Sequence, residues 1–536
     1  MGDGRLDLRN RDALFDALGA ATFDVAIIGA GITGAGVARD AAMRGLTVAL
    51  IEARDFAAGT SSRSSKMIHG GLRYLPMGDL ALVREAASER KIVQAIAPHL
   101  ARETPFVIPA KNAGAIAKLR AGLWTFEKLG GVPRSRKHEV WSAKQLRERE
   151  PAIDAADLVG AVAYPEYLTD DSRLTLANVR SAAAHGALVV NHAAVTALVV
   201  DGGRAVGLEV SDALGDRKTR VMARVIVNAA GPWVDALRAL EAPGAAPRLK
   251  LSKGVHLVVD RERLPVDRTI ILPAADRRSV FAVPKGRATY LGTTDTFYPE
   301  AEDWPTITLA DADYLLDAAA ARFSTPRLTH DDITSAWSGV RPLVGEEGKS
   351  ASEISRKDEL WTGPAGVLSI AGGKLTAYRM MAERVADLIE ETLGRKPSPC
   401  HTATRPLQGG DVDVAAARRA VEGAGLSPLD ADRLVGLYGA DAAAVAANGG
   451  DIAAEARHAV LAEGALTLED YWVRRSARAW FAEGGGLADL VPAAAAMATL
   501  LGWSQTQQQA QTAACRQIHD RNMAALRGDA KAGMNA

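Results

Sequence analysis

Phe23-Asp-Val-Ala-Ile-Ile-Gly29-Ala-Gly31-Ile-Thr-Gly34 is the stretch that decides the fold. An apolar, β-branched run of strand length, Phe23 to Ile28, enters three closely spaced glycines. Gly29 permits a tight turn, Gly31 lets the backbone approach a pyrophosphate, and Gly34 lets the following helix pack closely on a sheet. That helix is expected to reach about Arg44 and to stop at Gly45. Thr47 to Ile51 then forms a second strand, and Glu52 follows where a carboxylate accepts from ribose hydroxyls. Strand, turn, helix, strand and acid in this order make a βαβ unit that holds a dinucleotide at a helix N-terminus. Nicotinamide and flavin dinucleotides are both compatible with it.

The next segment favours the flavin. Thr60-Ser61-Ser62-Arg63-Ser64-Ser65-Lys66 combines small hydroxyl side chains with a lysine, a composition that threads beside a long ligand and donates hydrogen bonds to phosphates and a ribityl chain. Met67-Ile68-His69-Gly70-Gly71-Leu72-Arg73-Tyr74 follows, and its apolar and aromatic residues argue against a free linker. Two further strand-to-helix corners are predicted. Ala223 to Asn228 ends in Ala229-Ala230-Gly231-Pro232-Trp233, and Leu368 to Ala371 ends in Gly372-Gly373-Lys374 before an amphipathic helix from Leu375. That helix places Tyr378, Met381, Val385, Leu388 and Ile389 on one face.

Thr60 to Leu75 resembles the signature of FAD-dependent glycerol-3-phosphate dehydrogenases, within the wider group of glycine and D-amino-acid oxidase-like flavoproteins. Further likenesses follow in that family's order: Lys253 to His256, Leu291 to Asp295, Ser338 to Leu343 and Gly372 to Arg379. The resemblance implies an α/β Rossmann-like FAD-binding domain, an antiparallel-sheet substrate domain and an all-α C-terminal cap domain. It implies non-covalent FAD held by Gly29, Gly31, Gly34, Glu52, Thr60, Ser61, Ser65, Lys66, Ile68, His69, Gly231, Gly373, Leu375 and Thr376. Arg73, Tyr74, Thr293 and Arg356 would bind glycerol 3-phosphate, with His256, Arg341 and Lys374 as the catalytic group. A phosphate dianion needs several fixed cations, and Arg73, Arg341, Arg356, Lys374 and Arg379 all lie in or near the matched motifs. His256 is the candidate base for the C2 hydroxyl proton, because a neutral imidazole accepts a proton near neutral pH; electrostatic roles for Lys374 or Arg341 stay open.

The implied acceptor is a quinone, with oxygen as the alternative, and the implied place is the cytoplasm, peripheral on the inner membrane, with a homodimer allowed. An amino-acid oxidase of the same fold would need a carboxylate clamp but no phosphate cluster.

Composition sets outer bounds. The 536 residues are too many for one core, so two or three domains are expected. The 64 basic and 64 acidic side chains cancel without a basic, aromatic-laced stripe, which argues against nucleic acid. Two cysteines, Cys400 and Cys515, make neither a disulfide framework nor a cysteine metal site. The most apolar stretch, Leu490 to Trp503, is too short to span a bilayer. Met1 to Thr22 lacks a signal-peptide core and reads as an arm or a partner contact. We expect the FAD-binding domain over 23–95, 155–240 and 345–395, the substrate domain over 96–154 and 241–344, and helices over 400–530. Those helices are predicted at Val414 to Glu422, Pro428 to Tyr438, Ile452 to Glu463, Leu468 to Phe481 and Pro492 to Leu526.

Overall fold

The computed structural model describes residues 2–70, 80–133, 136–276, 278–345 and 358–528. Its first sheet is built on the βαβ unit. Thr22–Ile28 lies between Val48–Ile51 and Lys218–Asn228, and Leu188–Val190 and Leu368–Gly372 extend the sheet on either side, all in parallel. Asp358–Thr362 closes one edge in the antiparallel sense. Strands covered on both faces are near-continuous apolar runs, as in Val-Ala-Ile-Ile and Val-Ala-Leu-Ile. The helices Ile32–Met43, Asp171–Ala184 and Tyr378–Thr392 pack over one face, burying Val37, Val179, Met381 and Val385.

The second sheet contains the expected meander, Leu249–Asp260, Ala288–Gly292, Ser279–Lys285 and Thr269–Pro273. Ile333–Val344 pairs along almost the whole of Leu249–Asp260, a long strand that the sequence reading did not assign. Gly160–Leu168 also belongs here, paired with Arg102–Ala110, and Met67–Ile68 adds to its other edge. The range 155–240 therefore straddles both sheets, because a strand that is apolar throughout carries no mark of which sheet it joins.

The C-terminal region is helical as expected, with two interruptions. Leu468 to Phe481 is not one helix: Asp470–Arg475 is a π-helical turn, and Ala477 adopts a left-handed conformation before Arg478–Phe481. Pro492 to Leu526 is split at Gly502, also left-handed, into Leu490–Leu501 and Gln505–Met523. Among the described residues one segment, Glu483–Leu501, is long and apolar enough to cross a bilayer by composition. Gly484, Gly485 and Gly486 all break helical geometry within it, leaving twelve residues of α-helix from Leu490.

The N-terminal segment is packed, not a free arm. Arg11–Ala20 is a helix whose Phe15 and Leu18 are fully buried, and the Leu6 amide donates to the Ala462 carbonyl at 3.0 Å. The sequence gives the segment no mark of this packing, because its docking surface is assembled from distant strands and helices.

Candidate functional site

Three neighbouring parallel strands, Thr22–Ile28, Lys218–Asn228 and Leu368–Gly372, end side by side, with Ile28 opposite Asn228 and Asn228 opposite Ser369. Each end leads into a glycine corner and then a helical turn that no side chain of its N-cap residue caps: Gly31 before Ile32–Met43, Ala230 before Gly231–Trp233, and Lys374 before Leu375–Ala377. Uncapped first-turn amides carry partial positive charge, so the carboxyl edge of the sheet offers donors to an extended anionic ligand.

The close packing of this edge explains the first glycines. A Cβ on Gly34 would sit 1.9 Å from the Gly29 carbonyl oxygen, and Gly29 itself needs a φ of +97°. Ser61 Oγ accepts from the Ile32 amide at 2.9 Å, which ties the hydroxyl loop to the helix start. Thr60 Oγ1 donates to the Val340 carbonyl at 2.5 Å, which ties the same loop to the second sheet. Glu52 accepts from the Ala30 amide at 2.7 Å and the Arg54 amide at 3.0 Å, and burial raises its carboxyl pKa. Gly31, Glu52, Thr60, Ser61, Ser65, Gly231, Gly373 and Leu375 are half-buried, and His69 is exposed with its carbonyl accepting from Thr376 Oγ1.

Other predicted cofactor residues face inward. The Lys66 ammonium donates to Asp171 at 2.6 Å and to the Ser62 carbonyl at 3.1 Å, fully enclosed, so it does not serve as an open phosphate donor. Desolvation opposes its charge, but Asp171 and Asp170 outweigh that and raise its pKa. Ile68 is fully buried among Val93, Ile96, Tyr167 and Tyr378. Both are adjacent to rim residues in sequence; the backbone at Lys66 takes a left-handed φ of +54°, and Ile68 lies in the short strand Met67–Ile68.

The substrate-side candidates divide in the same way. Arg341 keeps 20% of its side chain exposed and is held by Thr293 Oγ1 at 3.1 Å and by Asp295 at 3.2 Å. This arrangement fits only because residue 254 is glycine: a Cβ there would lie 2.3 Å from Arg341 Nη2 and 2.7 Å from Thr293 Oγ1. Lys374 is half-buried at the third glycine corner. Arg379, by contrast, is committed to Glu89 at 2.6 Å and Glu383 at 2.8 Å, and only 7% of its side chain is exposed. It supports the helix Tyr378–Thr392 and is withdrawn from the substrate-side group. Arg73, Tyr74 and Arg356 lie outside the described residues.

His256 is 1% exposed and stacks on Trp337 at 4.7 Å with the rings nearly parallel. Its Nε2 is 2.9 Å from Ser65 Oγ. The ring overlies Gly292, where a Cβ would come within 2.1 Å of it. Burial, then Arg341 and Lys66, hold its pKa well below the ordinary 6.5, so the imidazole is neutral. The sequence reading missed this pairing with Ser65, the stack on Trp337 and the Asp295 clamp. The available signal was Gly254 and Gly292, two glycines inside strands where a bulky neighbour must pass.

Residues 24–379 match the family model of FAD-dependent oxidoreductases. The chain belongs to that family. Residues 400–508 match the model of the C-terminal domain of alpha-glycerophosphate oxidase. An aerobic glycerol-3-phosphate dehydrogenase of Bacillus subtilis is 41% identical over 498 residues, covering 88% of this chain and 90% of that protein. One from Staphylococcus aureus is 42% identical over 398 residues, covering 73% and 72%. The structure of a glycerol-3-phosphate dehydrogenase from Bacillus halodurans, complexed with FAD, superposes with a TM-score of 0.82 at 33% identity, covering 97% of this chain and 99% of that one. A glycine oxidase from Geobacillus kaustophilus shares the fold at a TM-score of 0.54 and 22% identity. The protein is thus an FAD-dependent oxidoreductase, and the glycine edge, whose three helix starts carry no side-chain cap from their own N-cap residues, fits an extended dinucleotide.

Proposed function

We propose that this flavoprotein oxidises sn-glycerol 3-phosphate to dihydroxyacetone phosphate and passes the electrons to a quinone. The carrying observation is Arg341, a cation fixed by Thr293 and Asp295 yet still partly open, beside a flavin-type glycine edge. The names of the relatives that match over most of the chain support the same substrate.

FAD, bound non-covalently, supplies a two-electron hydride acceptor. Gly29, Gly31 and Gly34 let the pyrophosphate approach the backbone, and Glu52 receives the adenosine ribose. Thr60, Ser61 and Ser65 line the ligand, with His69, Gly231, Gly373, Leu375 and Thr376 around the other corners. Arg341 and Lys374 then hold the substrate's phosphate and the oxygen on C2, and Arg73, Tyr74 and Arg356 belong to the same group by resemblance.

The C2 carbon gives up its hydrogen with two electrons, its hydroxyl gives up a proton, and the carbonyl forms between them. His256 is too enclosed to touch the substrate, so the proton reaches Nε2 through Ser65 Oγ, which stands 2.9 Å away. The low pKa of the buried imidazole keeps it unprotonated before the reaction. Lys66 acts behind the loop, holding Ser64 and Ser65 in place through Asp171, which also accepts from the Ser64 amide at 2.9 Å.

We place the protein in the cytoplasm, attached peripherally to the inner face of the membrane. On the helix Ala113–Leu129, Trp124 is 52% exposed, Lys128 lies 4.0 Å over its ring, and Lys118 and Arg120 are exposed nearby, a pattern suited to an anionic lipid surface. A homodimer is compatible with this placement.

Oxygen is the second reading for the acceptor, favoured by the match of residues 400–508 to an oxidase C-terminal domain. Anaerobic mixing of the yellow holoenzyme with glycerol 3-phosphate, glycerol or glycine tests the substrate. Bleaching by the phosphate ester alone is expected; bleaching by glycine alone would overturn it. Reoxidation faster with a quinone than with air supports the dehydrogenase reading, and the reverse order the oxidase.

A further inference from the structure

The helical C-terminal domain reaches back to the first nucleotide turn. After Glu52 the chain passes Ala53 and Arg54 to Asp55, whose carboxylate is entirely enclosed. It accepts from Arg474 Nε at 2.5 Å, from Arg475 Nη2 at 2.8 Å and again from Arg475 Nη1, and from Asn191 Nδ2 at 3.0 Å. Asn191 also donates to the Gly464 carbonyl at 2.9 Å. Arg474 continues to Glu469 at 2.7 Å and Asp470 at 2.9 Å, and Asp470 meets His192 Nε2 at 3.0 Å. His192 and Ala193 in turn donate their amides to the carbonyls of Arg54 and Glu52. The turn carrying Glu52 is therefore held on one side by the nucleotide sheet and on the other by two arginines of the helical domain.

Asp55, His192 and Asp470 bring ligand atoms within 4.8 Å of one another. Arg474 and Arg475 already neutralise both carboxylates, so the cluster is an ionic clasp and not a cation site. A clasp needed only for attachment would be redundant, since Arg173 binds Glu463 at 2.6 Å and Arg180 binds Asp441 at 2.8 Å across the same boundary.

We propose that docking of the helical domain and occupancy of the dinucleotide site are thermodynamically linked through Asp55. The arginine pair fixes the turn that presents Glu52 to the adenosine ribose, so each event favours the other. This rests on the ribose role proposed for Glu52. Linkage is reciprocal: if the clasp strengthens FAD binding, bound FAD must lower the equilibrium population of the open clasp by the same factor, typically between about fivefold and a hundredfold.

The test is hydrogen exchange of the full chain, as holoenzyme, after removal of FAD and after reloading, read in peptides covering 464–476, with the helix Pro428–Tyr438 as control. FAD affinity is measured alongside by recovery of free-flavin fluorescence. Wild type is expected to exchange roughly tenfold more slowly at 464–476 when loaded, with the control unchanged. Asp55→Asn is expected to bind FAD roughly tenfold more weakly and to lose the FAD-dependent slowing. Equal exchange in both wild-type forms, or wild-type affinity in Asp55→Asn, overturns the linkage. Should Asp55→Asn fail to fold, Arg475→Lys is read the same way, and the wild-type comparison stands alone. Glu52→Ala separates the underlying reading: unchanged FAD affinity there removes the ribose role, whereas weakened affinity there with an unaffected Asp55→Asn removes only the linkage.

Discussion

Two layers of the same motifs behave differently. The outer one is half-buried: Gly31, Thr60, Ser61, Ser65 and Lys374 in the turns and loop that follow the parallel strands, Thr293 and Arg341 on the second sheet. The inner one, Lys66, Ile68, His256 and Arg379, is closed, and its charged members are paired: Lys66 with Asp171, Arg379 with Glu89. Neighbours within one motif, such as Ser65 and Lys66, fall in different layers, so a motif marks a place in the fold without telling which members touch the ligand. Exposure separates contact from support. A contact residue should change binding or turnover with little effect on stability, and a support residue the reverse, except His256, which is enclosed but linked to the site through Ser65 and should affect both.

Breaking the edge itself should have the largest effect. Gly34→Ala brings a Cβ to 1.9 Å from the Gly29 carbonyl, so the helix must move off the sheet. The expected outcome is protein purified without yellow chromophore, checked by flavin content per chain. Lys66→Met tests the inner layer, because it leaves Asp171 buried and unpaired beside Asp170. A loss of about 3–5 kcal/mol in denaturant unfolding is expected, a size typical of breaking one side of a buried pair.

His256 sharpens the comparison through pH. Its folded pKa lies well below 6.5, so between that ordinary value and the lower folded one the unfolded chain binds a proton that the native chain does not. Stability should therefore fall as pH drops below about 6.5, by at most about 1.4 kcal/mol per unit from this residue. Buried His99, held near 3, contributes in the same sense, so the informative quantity is the difference between wild type and His256→Gln across pH 7.5 to 5. A parallel pair of curves would show that His256 is not the buried neutral group described. Thr293→Val should have the smallest effect. It removes one hydrogen bond to Arg341 at 3.1 Å, and about 1 kcal/mol, or roughly fivefold in kcat/KM, is expected without loss of Tm.

Much of the fold was legible because period and punctuation agree. Phe23 to Glu52 contains every element of the βαβ unit, and the meander from Leu249 to Gly292 emerged from alternating extended runs and turns. Ile333–Val344 escaped because its polar residues, Thr334, Ser335 and Ser338, mask a strand that is buried nearly throughout. In the site, the glycine corners were readable since each answers a steric demand. The inward turn of Lys66 was not, because its partner Asp171 lies 105 residues away. The same holds for Arg379 and Glu89, 290 residues apart. Non-local ion pairs leave no local pattern, and they decide which motif cations stay open.

The most direct test of the division is the anaerobic rate of flavin bleaching by glycerol 3-phosphate and by glycerol, in wild type, Arg341→Ala and Arg379→Ala. Arg341→Ala should slow bleaching by the phosphate ester roughly a hundredfold or more, narrowing its advantage over glycerol, with Tm close to wild type. Arg379→Ala should keep the wild-type preference in whatever fraction stays folded, at a lowered Tm. Loss of the phosphate preference in Arg379→Ala, with Arg341→Ala unaffected, would contradict the account.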